Sequence, residues 1–189
     1  QLKLNLMQKK LTEHNVNLQK LVQEQLKEIY SSQMATLVAI SNLGEFRDNE
    51  TGMHAERTRH YCKILARELQ RNSPYAGEIN DEFIENIFQA APLHDIGKIG
   101  IPDAILLKNG HHEKWNGNGY PYGRKGSAIP LAGRIMAVAD CYDALRSKRP
   151  YKEMISHTET VILVMQESGI AFDPVIVEAF EKQSAEFET

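Results

Sequence analysis

Only two cysteines occur in 189 residues, Cys62 and Cys141, far apart and in no CxxC spacing. A disulfide framework and a thiolate zinc site are thereby excluded, and a reducing cytoplasm fits. Positive charge is scarce too: 22 lysines and arginines against 25 aspartates and glutamates leave a formal charge of -3. Bulk attraction to nucleic acid or to an anionic membrane is excluded, so no DNA partner is expected, and any bound phosphate must be met by local cations. No run of about 18 apolar residues is present, and the charged start Gln1–Lys10 has no signal-peptide core, so this stretch is expected neither to span nor to contact a membrane. The chain begins at Gln1 without an initiator methionine, which predicts a piece of a longer protein and leaves a membrane or sensor segment upstream open. Internal repeats and low-complexity segments are also lacking.

Proline is absent from Leu2 to about Phe46, and Gly44 is the only glycine there. Apolar residues fall at Leu4, Met7, Leu11, Leu18 and Leu21, then in a shifted frame at Val22, Leu26 and Ile29. This pattern predicts a long amphipathic helix with imperfect heptads, interrupted by His14 and Gln25. It suits a modest dimerising or signalling helix, or a helix lying on its own domain. A second helix is expected after Asn49, with Tyr61, Leu65 and Leu69 along one side. A third is expected to be capped by Asp81, carrying Phe83, Ile84, Ile87, Phe88 and Ala91 inward and stopped by Gly97, Gly100 and Pro102. Pro130 suits the first turn of a fourth, with Leu131, Ile135, Val138, Ala139, Tyr142 and Leu145 buried. Ser156 and Glu159 form a capping box for a fifth helix that Gly169 closes, and Asp173-Pro174 opens the last. Period-two alternation is nearly absent; at most the "NGNG" turns make a small hairpin. The expected fold class is all-α.

Chemistry-bearing residues interrupt these apolar patterns. Glu50 and His54, four apart, share a helix face and can share a metal, although exposed pairs of this kind are common. His94-Asp95 ends an apolar helix, where burying both groups costs several kcal/mol unless a cation or hydrogen bonds compensate. An ordinary helix end, with the histidine satisfying terminal carbonyls, accounts for His94 but leaves Asp95 in an unfavourable dipole position. Lys98 lies on the same side and can hold a phosphate oxygen or protonate a leaving group. Asp140, set among Val138, Ala139 and Tyr142, needs a partner, and His111 and His112 add two nitrogen donors. Histidines and carboxylates without cysteine suit iron or manganese, and zinc less exclusively. Their number exceeds one ion's needs and points to two or three divalent metals and hydrolytic chemistry.

The stretches "RDNETGMHAERT", "HDIGKIGIPDAILLK", "HHEKWNGNGYPYG", "IPLAGRIMAVADCYDALRSKRPYK" and "FDPVIVEAF" resemble, in this order, the HD-GYP subgroup of the HD phosphohydrolase superfamily, over roughly residues 35–180. The resemblance implies an HD-type helical bundle over residues 35–189 preceded by a coiled-coil-like linker or dimerisation helix over 1–34. It implies a bacterial phosphodiesterase acting on cyclic di-GMP, with some members favouring 3'3'-cyclic GMP-AMP. By position it implies metal ligation by Glu50, His54, His94, Asp95, His111, His112 and Asp140, with Asp95 bridging. His94, Asp95 and Lys98 would form the catalytic set, Lys98 on the scissile phosphate. Gly119, Tyr120 and Pro121, with Arg149 and Lys152, would hold the substrate. Arg149 and Lys152 are also the local cations that an acidic chain needs for a dianionic ligand. A homodimer through the first helix, an upstream receiver domain and diguanylate cyclase (GGDEF) partners are further expectations by analogy.

The chain departs from the family in one place. Members carry several dozen residues, with helix and one further histidine ligand, between "ILLK" and the double histidine; here Gly110 is followed directly by His111. Either that piece is deleted, or the sequence omits a segment that the natural chain carries; a measured mass near 21.4 kDa would exclude the second. Asn109 and Asn116 replace the family's usual proline and aspartate without removing a ligand.

Overall fold

The computed structural model describes residues 2–48, 53–94, 113–147 and 153–188, and every structural statement below concerns these. The expectations placed on Glu50, Asp95, Lys98, His111, His112, Arg149 and Lys152 lie outside them. The chain divides into two compact units, Gln1–Ala39 and Ile40–Thr189.

The first unit is occupied by helix α1, Leu2–Asp48, which continues into the second. Without proline, nothing interrupts its backbone ladder over 47 residues. Met7, Leu11, Val16, Leu18, Leu21, Val22, Leu26 and Ile29 are all exposed, so this helix leaves much of its apolar surface in water.

The second unit is built from α2 (His54–Asn72), α3 (Asp81–Ala90), α4 (Leu131–Arg146), α5 (His157–Gln166) and α6 (Pro174–Gln183). The fold is all-α, as expected. The only bridge among the described residues is an isolated one between Ser168 and Phe172, and the "NGNG" stretch forms turns instead of a hairpin. Three boundaries differ from expectation. Helix α2 begins at His54, with Met53 at its N-cap. The cap of α3 is Asn80, whose side-chain oxygen accepts from Phe83 N at 2.8 Å, so Asp81 becomes the first helical residue and adds charge at the positive end of the dipole. Pro130 is the N-cap of α4, its ψ of 139° being extended, not helical. Ser156 and Asp173 cap α5 and α6 as expected, accepting from Glu159 N and Val175 N.

Helices α2 and α4 form the centre of the core. Ile135, Val138, Ala139 and Tyr142 are fully buried and join Cys62, Leu65 and Leu69 of α2 with Ile176 and Phe180 of α6 in one cluster. The Tyr142 ring meets Tyr61 and Phe187 edge-on at 5.3 and 5.1 Å, and its hydroxyl donates to the Phe187 carbonyl at 3.2 Å. A polar strut ties the loop before α4 to this core. Arg134 is 6% exposed and pairs with Asp173 at 2.6 Å, while donating from Nε to the Ile129 carbonyl at 2.9 Å. Tyr75 donates to the same Asp173 oxygen at 2.7 Å.

Candidate metal centre

Three elements converge on one point. His54 is the first residue of α2, His94 follows the 3-10 turn Ala91–Leu93 that ends α3, and Asp140 lies midway along α4. Pro92 tightens the chain into that turn, swinging His94 off the end of α3 towards the bundle. One ligand atom from each of the three residues lies within 4.8 Å of the others. His54 Nε2 is 3.3 Å from His94 Nε2 and 3.4 Å from Asp140 Oδ1, and His94 Nε2 is 3.7 Å from that same oxygen. Adjacent ligands on an ion with bonds of about 2.1 Å sit about 3 Å apart, so these atoms need to move little to share one cation. His54 is 3% exposed, and the His94 and Asp140 side chains are 10% and 19% exposed.

The opposite nitrogens are occupied. His94 Nδ1 is 2.7 Å from the Ala91 carbonyl, so the helix-end role and the ligand role considered for this residue are filled by different ring atoms. His54 Nδ1 is 2.8 Å from Asp143 Oδ2. Asp143 is 1% exposed and accepts from Arg57 Nε at 2.5 Å and Nη2 at 2.8 Å, with Ser147 Oγ at 3.3 Å. Burial alone would raise the Asp143 carboxyl, but hydrogen bonds from His54 and Arg57, with the Arg57 charge, outweigh it and hold it below the usual carboxylate range. Sequence reasoning missed both Asp143 and Arg57. The available signal was their spacing: each lies three residues after a candidate ligand, on the same helix face as Asp140 or His54.

Gly119, Tyr120 and Pro121 are not members of this cluster. They lie in the loop between Glu113 and α4, with Tyr120 39% exposed. That loop is closed by Glu113, whose two carboxylate oxygens accept from Tyr122 N at 2.7 Å and Arg124 N at 2.8 Å. It is anchored by Trp115 N and Asn116 N, which donate to the Ala171 and Ile170 carbonyls at 3.0 Å each. Gly119 is required by close approach, since a Cβ there would lie 2.2 Å from Lys114 N and 2.5 Å from the Glu113 carbonyl carbon. A separate cavity of about 890 Å³ lies behind Asp143, between Arg57, Tyr61, Arg146 and Phe187.

Comparison with known proteins agrees with this geometry. Two family profiles described as "HD domain" match residues 51–110 and 106–176. A cyclic di-GMP phosphodiesterase of Vibrio cholerae is 39% identical over 196 residues, covering 81% of this chain and 40% of its own. A cyclic di-GMP phosphodiesterase response regulator of Xanthomonas campestris is 33% identical over 201 residues, covering 86% and 51%. A crystal structure of a cyclic GMP-AMP-specific phosphodiesterase from Vibrio cholerae superposes with a TM-score of 0.60 at 18% identity, covering 82% of this chain and 50% of that one, and so shares its fold. The chain spans about half or less of the length of each of these proteins. The Vibrio alignment runs over 196 positions but uses 81% of 189 residues, about 153, so about 43 positions face no residue here. The first profile match ends at Gly110, where the sequence departs from the family, and the second runs from 106 to 176 across that junction. With two HD profiles matched in order from residue 51 to residue 176, and the GYP triplet between the last ligand candidates, this chain belongs to the HD-domain family, in its HD-GYP subgroup.

Proposed function

We propose that the chain carries a metal-dependent phosphodiesterase that hydrolyses cyclic di-GMP, or the related 3'3'-cyclic GMP-AMP, to pGpG or GMP in bacterial signalling. The observation that carries this reading is the convergence of His54 Nε2, His94 Nε2 and Asp140 Oδ1 within 4.8 Å of one another. Two imidazole nitrogens and a carboxylate oxygen, with no thiolate, suit manganese or iron. Glu50, Asp95, His111 and His112 complete a donor set for two or three ions. Such ions supply Lewis-acid stabilisation of a phosphodiester and activation of water.

This chain's own groups then have separate tasks. Lys98 contacts the scissile phosphate and assists the leaving oxygen. Arg149 and Lys152 meet the remaining charge of a dianionic substrate, and Tyr120, held out on the clamped loop, faces a guanine base. The exposed apolar residues of α1 suit pairing with a second copy, linking the domain to an upstream receiver, and diguanylate cyclases are candidate partners.

A second reading is favoured by the roughly 40 alignment positions that face no residue here. If the chain truly lacks them, with the further histidine they would bring, the domain is a cyclic-dinucleotide receptor or docking module.

The test is incubation with Mn²⁺ or Fe²⁺ and cyclic di-GMP, followed by chromatography. Conversion to pGpG or GMP, lost in Asp95→Ala together with metal content, is the expected result. Tight binding without product would favour the receptor, and full activity in Asp95→Ala would refute the assignment.

A further inference from the structure

We infer that Asp143 is a positioning residue for the metal centre: it holds His54 in the tautomer protonated at Nδ1, so that the Nε2 lone pair faces His94 and Asp140. This rests on the metal-site reading given above and assigns a role that the ligand pattern does not include.

The argument is one of donors and acceptors. An ionised carboxylate can only accept, so the 2.8 Å contact requires the proton on His54 Nδ1; in the neutral imidazole the lone pair then lies on Nε2, the atom that faces His94 and Asp140. Asp143 cannot rotate away from this duty. Its Oδ2 also faces Arg57 Nη2 and Ser147 Oγ, and its Oδ1 is held by Arg57 Nε. Arg57 is one turn past His54 on α2, and Asp143 one turn past Asp140 on α4. The two pairs therefore fix the register of α2 against α4 at the level of the cluster. The Ala91 carbonyl serves His94 in the same way at 2.7 Å, so both imidazoles present the same ring atom inwards.

Asparagine at position 143 separates this role from simple packing, being of the same size. Either orientation of its amide sets a donor against Arg57, at Nη2 when the nitrogen faces His54 and at Nε when it is reversed, so the hold on His54 is loosened by both; with the nitrogen towards His54 it would also donate to Nδ1 and drive the proton to Nε2.

The test begins with the metal-free parent, where long-range proton–nitrogen NMR at about pH 8, above the ordinary histidine range, reads the tautomer of His54. The proton is expected on Nδ1. In Asp143→Asn the share of His54 with its proton on Nε2 is expected to rise, with Mn²⁺ affinity by calorimetry weakened roughly 10- to 100-fold. A parent His54 carrying its proton on Nε2 overturns the inference without any variant needing to fold, as does unchanged Mn²⁺ affinity in a folded Asp143→Asn. A parent with the Nδ1 tautomer that binds Mn²⁺ but cleaves no cyclic dinucleotide supports the inference and removes only the catalytic reading.

Discussion

Glu113 and Tyr122 are nine residues apart, yet the Glu113 carboxylate accepts from the Tyr122 backbone at 2.7 Å, and its second oxygen accepts from Arg124. One side chain thus closes the loop that carries the GYP triplet. Replacing Glu113 by alanine frees two amides at a surface position, so the expected cost in global stability is only about 1 kcal/mol. Hydrogen exchange at Tyr122 and Arg124 should accelerate at least severalfold. Unchanged exchange at both amides would show that the clamp contributes nothing in solution.

Gly119 gives a sharper test of the same loop. Its missing side chain leaves room for the Glu113–Lys114 peptide, which a Cβ would approach within 2.2 to 2.5 Å. Backbone cannot yield as a flexible side chain can, so Gly119→Ala is expected to displace the loop. On the proposed function, KM for cyclic di-GMP should rise at least tenfold, an order-of-magnitude expectation for loss of a positioning contact, while Mn²⁺ affinity stays near that of the parent. An unaltered KM would count against Tyr120 as a substrate contact.

The buried Arg134–Asp173 pair should behave differently from the many exposed pairs. Both side chains are nearly inaccessible and lie 2.6 Å apart. Asp173→Ala strands a guanidinium, orphans Tyr75 and removes the cap of α6, so a loss of about 3 to 5 kcal/mol is expected in denaturant unfolding. Lys182→Ala, which breaks an exposed pair with Glu178 at 2.8 Å, should leave stability nearly unchanged. Similar losses for the two variants would contradict this ranking.

Metal loading should be visible as stability before any substrate is added. Mn²⁺ at about 100 times its dissociation constant is expected to add about 2.7 kcal/mol to unfolding free energy. His94→Ala removes one of the three converging donors and should abolish most of that gain. A metal-dependent increment that survives intact in His94→Ala would place the ion elsewhere.

Cysteine chemistry offers a check on the core. Cys62 is wholly buried, and burial, with a smaller contribution from Asp140, pushes its thiol well above the usual range. In native protein it should resist thiol-specific reagents and react only on unfolding. Rapid native labelling of Cys62, located by peptide mass, would mean that α2 and α4 do not pack as described.

Much of this arrangement was legible in residue order, because helices announce themselves by spacing and by punctuation. Asp173-Pro174 and Ser156 mark their helix starts with local chemistry that no tertiary contact overrides. His94 and Asp140 were legible as anomalies, polar groups among apolar neighbours, whereas His54 was marked only by its spacing from Glu50 and by the family resemblance. Asn80 and Asp81 are both good caps, and only the backbone turn at residue 80 decides between them. Asp143 beside Arg146 reads as an exposed helical charge; its partners lie about 90 residues earlier, on another helix. The Glu113 clamp was hidden for a different reason, since its partners are backbone amides, which leave no trace in residue type.

Within four residues, helix α4 commits Asp140 to the cluster, Tyr142 to the aromatic core and Asp143 to His54. Among the described residues, the cluster of His54, His94 and Asp140 therefore has no hinge separating it from the fold. A change that rotates α4 to relieve crowding around Tyr142 also rotates Asp140, so on the proposed function substitutions far inside the core can surface as defects in metal retention. Heating should show the same bond between the two, with release of the ion and collapse of the helical core arriving as one event.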